Sequence, residues 1–365
     1  MTICSWDYLE EYESERAELL QTVDEVFQSG NLVLGTNVSA FEDEFANYCD
    51  TAHGIGVANG TDALFLALKA FGIGAGDEVI TVANTAIPTV SAIVSAGATP
   101  RFVDINLVDF LIDCSRIEEL LTPATRCILP VHLYGQCVQM DEILALAERY
   151  KLVVIEDCAQ AHGATFKTQK AGSMGNAAAF SFYPTKVLGA YGDAGMVVTG
   201  SKSVATHLRR LRSYGTAGQY YAKEHGYNSR LDELHAAMLR KKLTRIDDYI
   251  KKRRLVAQRY DDLLQDTSLA LPLTSNDRDH VYYLYACRHP ERDRIISDLA
   301  KQGIFLGASY RWPIHLMTGY EFLGYSYGDL PSTEQACRQV LCLPLYPRLS
   351  IEKQDIVIQA LRQAC

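Results

Sequence analysis

The run Leu152-Val153-Val154-Ile155-Glu156-Asp157 is short, apolar and β-branched, and it ends on two carboxylates. An unbroken apolar run of this length reads as a strand buried on both faces. Its surroundings repeat the theme. An amphipathic helix, Met140–Tyr150, precedes it, and an apolar strand, Cys127–Leu133, precedes that. Two further strands come after it, Ala178–Phe182 and Met196–Thr199. Upstream, strand His53–Ala58 leads into helix Asp62–Ala70, strand Glu78–Val82 into helix Val90–Ala96, and strand Arg101–Val103 comes next. Strands alternating with helices predict an α/β fold, a mostly parallel sheet covered on both faces. Sheets of this kind bind ligands beyond the C-terminal ends of their strands. That rule singles out Asn59–Thr61, Asp157–Gln160 and Ser181–Lys186.

Outside this core the texture changes. Residues 16–29 and Ser39–Tyr48 read as helices, with Phe41, Phe45 and Ala46 as the second one's apolar stripe. Ser229–Leu264 is one long helical pattern rich in Lys and Arg. Beyond it come a strand (Val281–Cys287), a helix (Arg292–Gln302) and a terminal helix (Ile351–Ala364). The expected organisation is a large domain over residues 1–245 and a smaller α+β domain over 246–365, in keeping with a chain of 365 residues.

Composition narrows the function classes. Lys plus Arg is 35 and Asp plus Glu is 44, a net charge of −9, which argues against a nucleic-acid partner. The basic runs Arg209, Arg210, Arg212 and Lys251–Arg254 read as solvated helix faces. No apolar run of about 18 residues exists, so no membrane span is expected. The N-terminus is acidic and shows no export-signal pattern. Ten scattered cysteines include no C-x-x-C pair and no zinc-type spacing. They read as reduced thiols, most of them in the core, of a cytoplasmic protein.

Three segments can carry chemistry. Asn59-Gly60-Thr61-Asp62 joins a strand to a helix. Gly60 lets backbone approach a ligand, and helix-start N–H groups with the Thr61 hydroxyl suit a phosphate; a plain N-cap is the simpler reading. The glycines at 54, 56 and 60 have the wrong spacing for a dinucleotide fingerprint. Asp157, at a strand end, could bind a metal, act as a base, pair with a protonated ring nitrogen, or simply cap the next turn of chain. Lys186 lies at the exit of Ser181-Phe182-Tyr183-Pro184-Thr185-Lys186, with Gly189, Gly192 and Gly195 close behind. A lysine in such a tight loop is a candidate Schiff-base nucleophile, although most lysines are merely on the surface. Together the three match the needs of pyridoxal 5'-phosphate: a phosphate site, an acid for the pyridine nitrogen and a lysine for the aldehyde.

The same residues carry a family resemblance. Leu32-Val33-Leu34-Gly35, Phe41-Glu42, Asn59–Leu64, Gly76–Ile80, Gly97–Pro100, Pro130–Gln136, Glu156–Ala164, Ser181–Lys186 and Gly226–Glu233 occur in order along nearly the whole chain. In these the chain resembles the nucleotide-sugar aminotransferases, the DegT/StrS group of fold-type I pyridoxal-phosphate enzymes. The resemblance implies that Lys186 carries the cofactor and moves the proton. It implies that Asp157 pairs with the pyridine nitrogen, that Gln160 bonds the ring hydroxyl, and that Gly60, Thr61 and Ser181 hold the phosphate. Asn228 would reach the phosphate of the other subunit, making a homodimer with shared active sites. Tyr183, Arg230, Tyr310 and His315 would bind substrate; Tyr310–His315 looks like the family's sugar-nucleotide segment. Lys186 stands where the dehydratase relatives have His. Ala86 stands where many members have an aromatic residue that stacks on the ring. The implied reaction takes an amino group from glutamate, through pyridoxamine phosphate, to a nucleotide-linked keto sugar. The sugar would be carried on dTDP and have its ketone at C3, with a 4-keto-6-deoxyhexose as the alternative. A regulatory protein on the same fold and a metal hydrolase using Asp157 are the competing classes.

Overall fold

The computed structural model describes residues 2–218 and 220–365. The first half alternates as the sequence demands. A short strand β1 (Ile3–Cys4) and helices α1 (Leu9–Ser29) and α2 (Thr36–Tyr48) lead into β2 (His53–Val57), α3 (Gly60–Ala70), β3 (Glu78–Val82), α4 (Ile87–Ala96), β4 (Thr99–Val103) and β5 (Thr125–Ile128). Next come α5 (Met140–Tyr150), β6 (Val153–Asp157), the small strands β7 (Thr165–Phe166) and β8 (Gln169–Lys170), then β9 (Ala177–Ser181), β10 (Gly195–Thr199) and α6 (Lys202–Leu211). The remainder is α7 (Glu233–Leu243), α8 (Ile246–Leu264), β11 (Arg278–Asp279), β12 (Tyr285–Arg288), α9 (Arg292–Ala300), β13 (Ile304–Phe305), α10 (Pro331–Gln339), β14 (Val340–Leu343) and α11 (Ile351–Ala364).

Seven strands form the central sheet in the order β2-β10-β9-β6-β5-β3-β4. Only β10 runs against its neighbours; the pairs β9–β6, β6–β5, β5–β3 and β3–β4 are parallel. The expected mostly parallel sheet is therefore present, with one reversed strand. Its two faces bury Ile55, Val79, Ile128, Ile155, Phe180 and Val197 completely. Such strands can read as continuous apolar runs because neither face meets water.

A second core gathers Ile3, Tyr260, Tyr285, Ile295, Leu341 and Val357 around the pair β12–β14. Helix α8 contributes to both cores: Ile246 and Ile250 pack in the first, and Val256, Ala257, Tyr260 and Leu264 in the second. A third small cluster places Ile314 and Leu330 against Ala83, Val90 and Phe102. Among the described residues, no helix is long and apolar enough to cross a membrane.

Two expectations need correction. The long helix over Ser229–Leu264 is two helices that break at Thr244–Arg245. Arg245 leaves helical geometry there and pairs with Glu15 and Glu18 of α1, so tertiary ion pairs override the local pattern. The basic runs are not simply solvated. Arg212 is buried and bonds Glu42 and the Gly56 carbonyl. Arg253 is buried and donates to the carbonyls of Tyr282, Tyr283 and Leu345. Each sits among acceptors, which is how a buried guanidinium is tolerated.

Candidate active site

Strands β2 and β9 are both antiparallel to β10, and β6 is parallel to β9. The C-terminal ends of β2, β6 and β9 therefore open on the same edge of the sheet. A cavity of about 250 Å³ lies there, and Gly60, Thr61, Ala86, Asp157, Gln160, Ser181, Tyr183 and Lys186 all line it. The sheet thus brings together the three segments that the sequence placed at strand ends.

One wall is a helix start pressed onto strand ends. The Asn59 side chain caps α3 by accepting from the Asp62 N–H at 2.8 Å. The cap is thus Asn59, and the N–H groups of Gly60 and Thr61 have no partner among the described residues. A Cβ at Gly60 would lie 2.6 Å from the Ser181 Cβ. A Cβ at Gly195 would lie 2.3 Å from the Asn59 carbonyl oxygen. Only glycine at these two places lets α3, β9 and β10 approach so closely. Free N–H groups beside a hydroxyl at a helix N-terminus form an anion cradle.

On another side stands Asp157, buried at the end of β6. One carboxylate oxygen accepts from the Thr89 hydroxyl at 2.8 Å and the other from the Ala159 N–H at 3.1 Å. Thr89 in turn lies 2.9 Å from the Thr85 hydroxyl. Burial pushes the Asp157 carboxyl above the usual carboxylate range, while Thr89, the Ala159 N–H, Lys186 and His132 pull it back. These two donors fix the carboxylate plane and leave lone pairs for a cationic N–H.

The neighbouring Glu156 has another task. Its carboxylate accepts from the N–H groups of Gly172, Met174 and Gly175 and lies 2.9 Å from His132 Nε2. His132 Nδ1 accepts from the Val138 N–H, so the ring proton is on Nε2. His132, Glu156 and Cys158 are close enough to suggest a metal site. Four donors already saturate Glu156, so the trio is a buried lock behind the strand end. Asp157 is not a member of it.

Lys186 lies just beyond the turn set by Pro184, its own N–H donating to the Tyr183 carbonyl at 2.8 Å. Its Nζ is 4.5 Å from the centre of the Tyr283 ring, within cation–π range. The Tyr283 hydroxyl is 3.0 Å from the Thr185 hydroxyl, so the ring is tied to the lysine's own loop.

Four residues expected at the site lie outside this cavity. Asn228 is exposed, and the Arg230 guanidinium is 5.9 Å from the Tyr214 ring centre. Between them Ser229 is buried and accepts from the Ala58 N–H at 3.1 Å. Tyr310 reaches the cavity through Gln160, whose amide nitrogen donates to its hydroxyl at 2.6 Å. His315 is buried, 3.3 Å from Glu334, on a segment whose Ile314 bonds the Ala83 carbonyl. The apolar cluster around Ile314 draws that histidine inward.

Thr85, Thr89, Tyr134 and Tyr283 were not anticipated. A hydroxyl pair spaced i, i+4 across a helix start could have flagged the threonines. The tyrosines carry no local signal.

Fold and site together define the class: an aminotransferase built on an α/β sheet. The chain belongs to the DegT/DnrJ/EryC1/StrS aminotransferase family, matching its pattern over residues 13–362. It is 52% identical, over 100% of its own length and 99% of the relative's, to a dTDP-3-amino-3,4,6-trideoxy-alpha-D-glucose transaminase of Micromonospora megalomicea subsp. nigra. It is 42% identical, over 100% of this chain and 98% of the other, to a pleiotropic regulatory protein of Geobacillus stearothermophilus. Its structure superposes on that of DesV from S. venezuelae, solved in complex with a ketimine intermediate. The TM-score is 0.97 at 41% identity, covering 100% of this chain and 98% of that one.

Proposed function

We propose that this chain is a pyridoxal-5'-phosphate-dependent aminotransferase that carries an amino group from glutamate to C3 of a dTDP-linked 3-keto-6-deoxyhexose. The observation that carries the reading is Lys186 and Asp157 lining one cavity beside a helix-start cradle. The 52% identity to a dTDP-3-amino sugar transaminase supports the substrate class. The pleiotropic regulatory relative keeps the second class in view, but a purely regulatory chain would have no need of Lys186 and Asp157 in register.

The residues fit the cofactor. A Cβ at Gly60 would fill the cradle beside Ser181, so the N–H groups of Gly60 and Thr61 with the Ser181 hydroxyl would hold the phosphate. Asp157, its plane fixed by Thr89 and Ala159, would keep a proton on the ring nitrogen. When bound, the cofactor supplies an aldehyde that exchanges amino groups and a ring that withdraws electrons from the reacting carbon. Lys186 Nζ would take the proton from one carbon and return it to the next, a transfer suited to one positioned amine. Tyr283 gives that amine a face to rest on when it is not engaged.

Asn228 would serve the partner subunit of a homodimer. Its exposure supports this, as does the way its segment is fastened by Ser229 and by Glu233, which accepts from the Gly35 and Val38 N–H groups. Leu32 and Val33, both exposed next to Glu233, suit a subunit contact. Arg230 would meet the substrate's diphosphate and Tyr183 its sugar. A division into residues 1–245 and 246–365 is supported by the second core, which draws all its buried members but Ile3 from residues 256–361, although Ile246 and Ile250 of α8 pack in the first. All ten cysteines are free thiols and eight are buried, which supports a cytoplasmic setting.

Purified protein supplied with pyridoxal 5'-phosphate should turn yellow. With glutamate and a panel of 3-keto and 4-keto nucleotide sugars, the 3-keto sugar should be aminated. Failure to bind the cofactor would overturn the reading.

A further inference from the structure

Gln160 sits between two tyrosines, and their chemistry fixes which way its amide faces. The Tyr134 N–H lies 2.8 Å from Gln160 Oε1. A backbone N–H can only donate, so the atom facing it must be the amide oxygen. The amide nitrogen then faces the Tyr310 hydroxyl at 2.6 Å. That bond uses one of its two hydrogens, and Gln160 lines the cavity.

Tyr310 is itself held. Its φ of 60° lies in the left-handed region, uncommon for a side chain of this bulk. Its ring stacks on Tyr134, with centroids 6.0 Å apart and planes 20° apart. Three residues earlier, Gly307 bridges to Cys342 of β14. The hydroxyl is thereby tied to the second sheet, β12–β14.

We propose that Tyr310 is a positioning residue: its hydroxyl holds the Gln160 amide so that the second N–H is presented to the ring hydroxyl of the cofactor. This rests on the cofactor reading above, and it replaces the substrate-binding role expected for Tyr310. Burial keeps the Tyr310 hydroxyl protonated, because it pushes the group well above its ordinary range. The contact is thus a neutral hydrogen bond whose loss leaves the amide held by the Tyr134 N–H alone.

The test uses Tyr310→Phe, which removes only the hydroxyl, alone and in a Gln160→Ala background. Cofactor-free protein is titrated with pyridoxal 5'-phosphate, and the absorbance of the loaded protein is tracked against pH. Tyr310→Phe should weaken cofactor binding about threefold to tenfold, the range of one neutral hydrogen bond. The absorbance midpoint should rise, because a donor to the ring oxygen favours its anionic form. In the Gln160→Ala background, Tyr310→Phe should change neither quantity. Unchanged affinity and midpoint in the single variant would overturn the proposal, as would equal effects in both backgrounds. So would a raised KM for the nucleotide sugar with cofactor binding intact. If Gln160→Ala does not fold, the midpoint of the single variant still decides. Wild-type protein that binds no cofactor would instead overturn the functional reading.

Discussion

Gly60→Ala tests the cradle with a single methyl group. The added Cβ would stand 2.6 Å from the Ser181 Cβ and 3.1 Å from its hydroxyl oxygen. Carbon atoms in contact sit at about 3.5–4.0 Å, so α3 and the end of β9 must part by roughly 1 Å. Overpacking of this kind costs about 1–3 kcal/mol. The strained pair is also the pair that would grip the phosphate, so the cost should appear in cofactor affinity. Affinity for pyridoxal 5'-phosphate should fall about 5-fold to 150-fold. Helix propensity offsets little of this, because Gly60 is the first residue of α3 and the preference of about 1 kcal/mol for Ala over Gly belongs to helix interiors. Any part of this cost that falls on the cofactor-free chain should appear as a lower denaturation midpoint with the fold retained. The assay is an absorbance titration of cofactor-free protein, with circular dichroism as the check on folding. Gly200→Ala is the control, because a Cβ there meets nothing within 4 Å. Wild-type affinity in Gly60→Ala would refute the reasoning, as would an equal loss in Gly200→Ala.

Lys186→Ala should abolish the absorbance of the lysine-bound cofactor and cut turnover at least about 10²-fold, read by spectroscopy and a coupled assay. Mixing Lys186→Ala with Asn228→Ala subunits should restore about a quarter of the wild-type rate, because half the dimers are hybrids with one intact site; no recovery would place both residues in one chain's site. Glu156→Gln should leave buried N–H donors unpaired and cost about 2–5 kcal/mol, seen as a lower denaturation midpoint. His162 and His280 are buried and held neutral, with pKa values down at about 3; burial is the main cause, with Lys186 acting on the first and Arg254 on the second. The unfolded chain binds more protons between these values and 6.5, so their contribution is complete above pH 6.5 and is lost as pH falls toward 3. Denaturation midpoints against pH should show this acid slope, about 1.4 kcal/mol per pH unit per histidine at most, and His162→Leu should flatten it.

The sheet and three of its strand-end segments were legible because their signals are local. The apolar run at 152–155 with its two closing carboxylates, the glycine at 60 and the lysine after Pro184 each announce themselves within a few residues. What was missed depends on distance along the chain. Thr89 reaches Asp157 across 68 positions, and Gln160 reaches Tyr310 across 150. Tyr283, which follows α8 in the chain, meets Lys186 because it packs against the first core. His315 looked available because the composition of its segment is polar and aromatic; the packing of Ile314 under Ala83 draws it inward. The break at Thr244–Arg245 was hidden for the same reason: its cause is Glu15 and Glu18, on another helix.

The most direct measurement is product analysis by mass spectrometry and NMR. Purified protein loaded with pyridoxal 5'-phosphate is incubated with glutamate and a dTDP-linked 3-keto-6-deoxyhexose. We expect 2-oxoglutarate and a sugar with its new amine on C3. Cofactor-loaded protein that aminates only 4-keto sugars would contradict the assigned position. Loaded protein that aminates no nucleotide sugar at all would contradict the central claim.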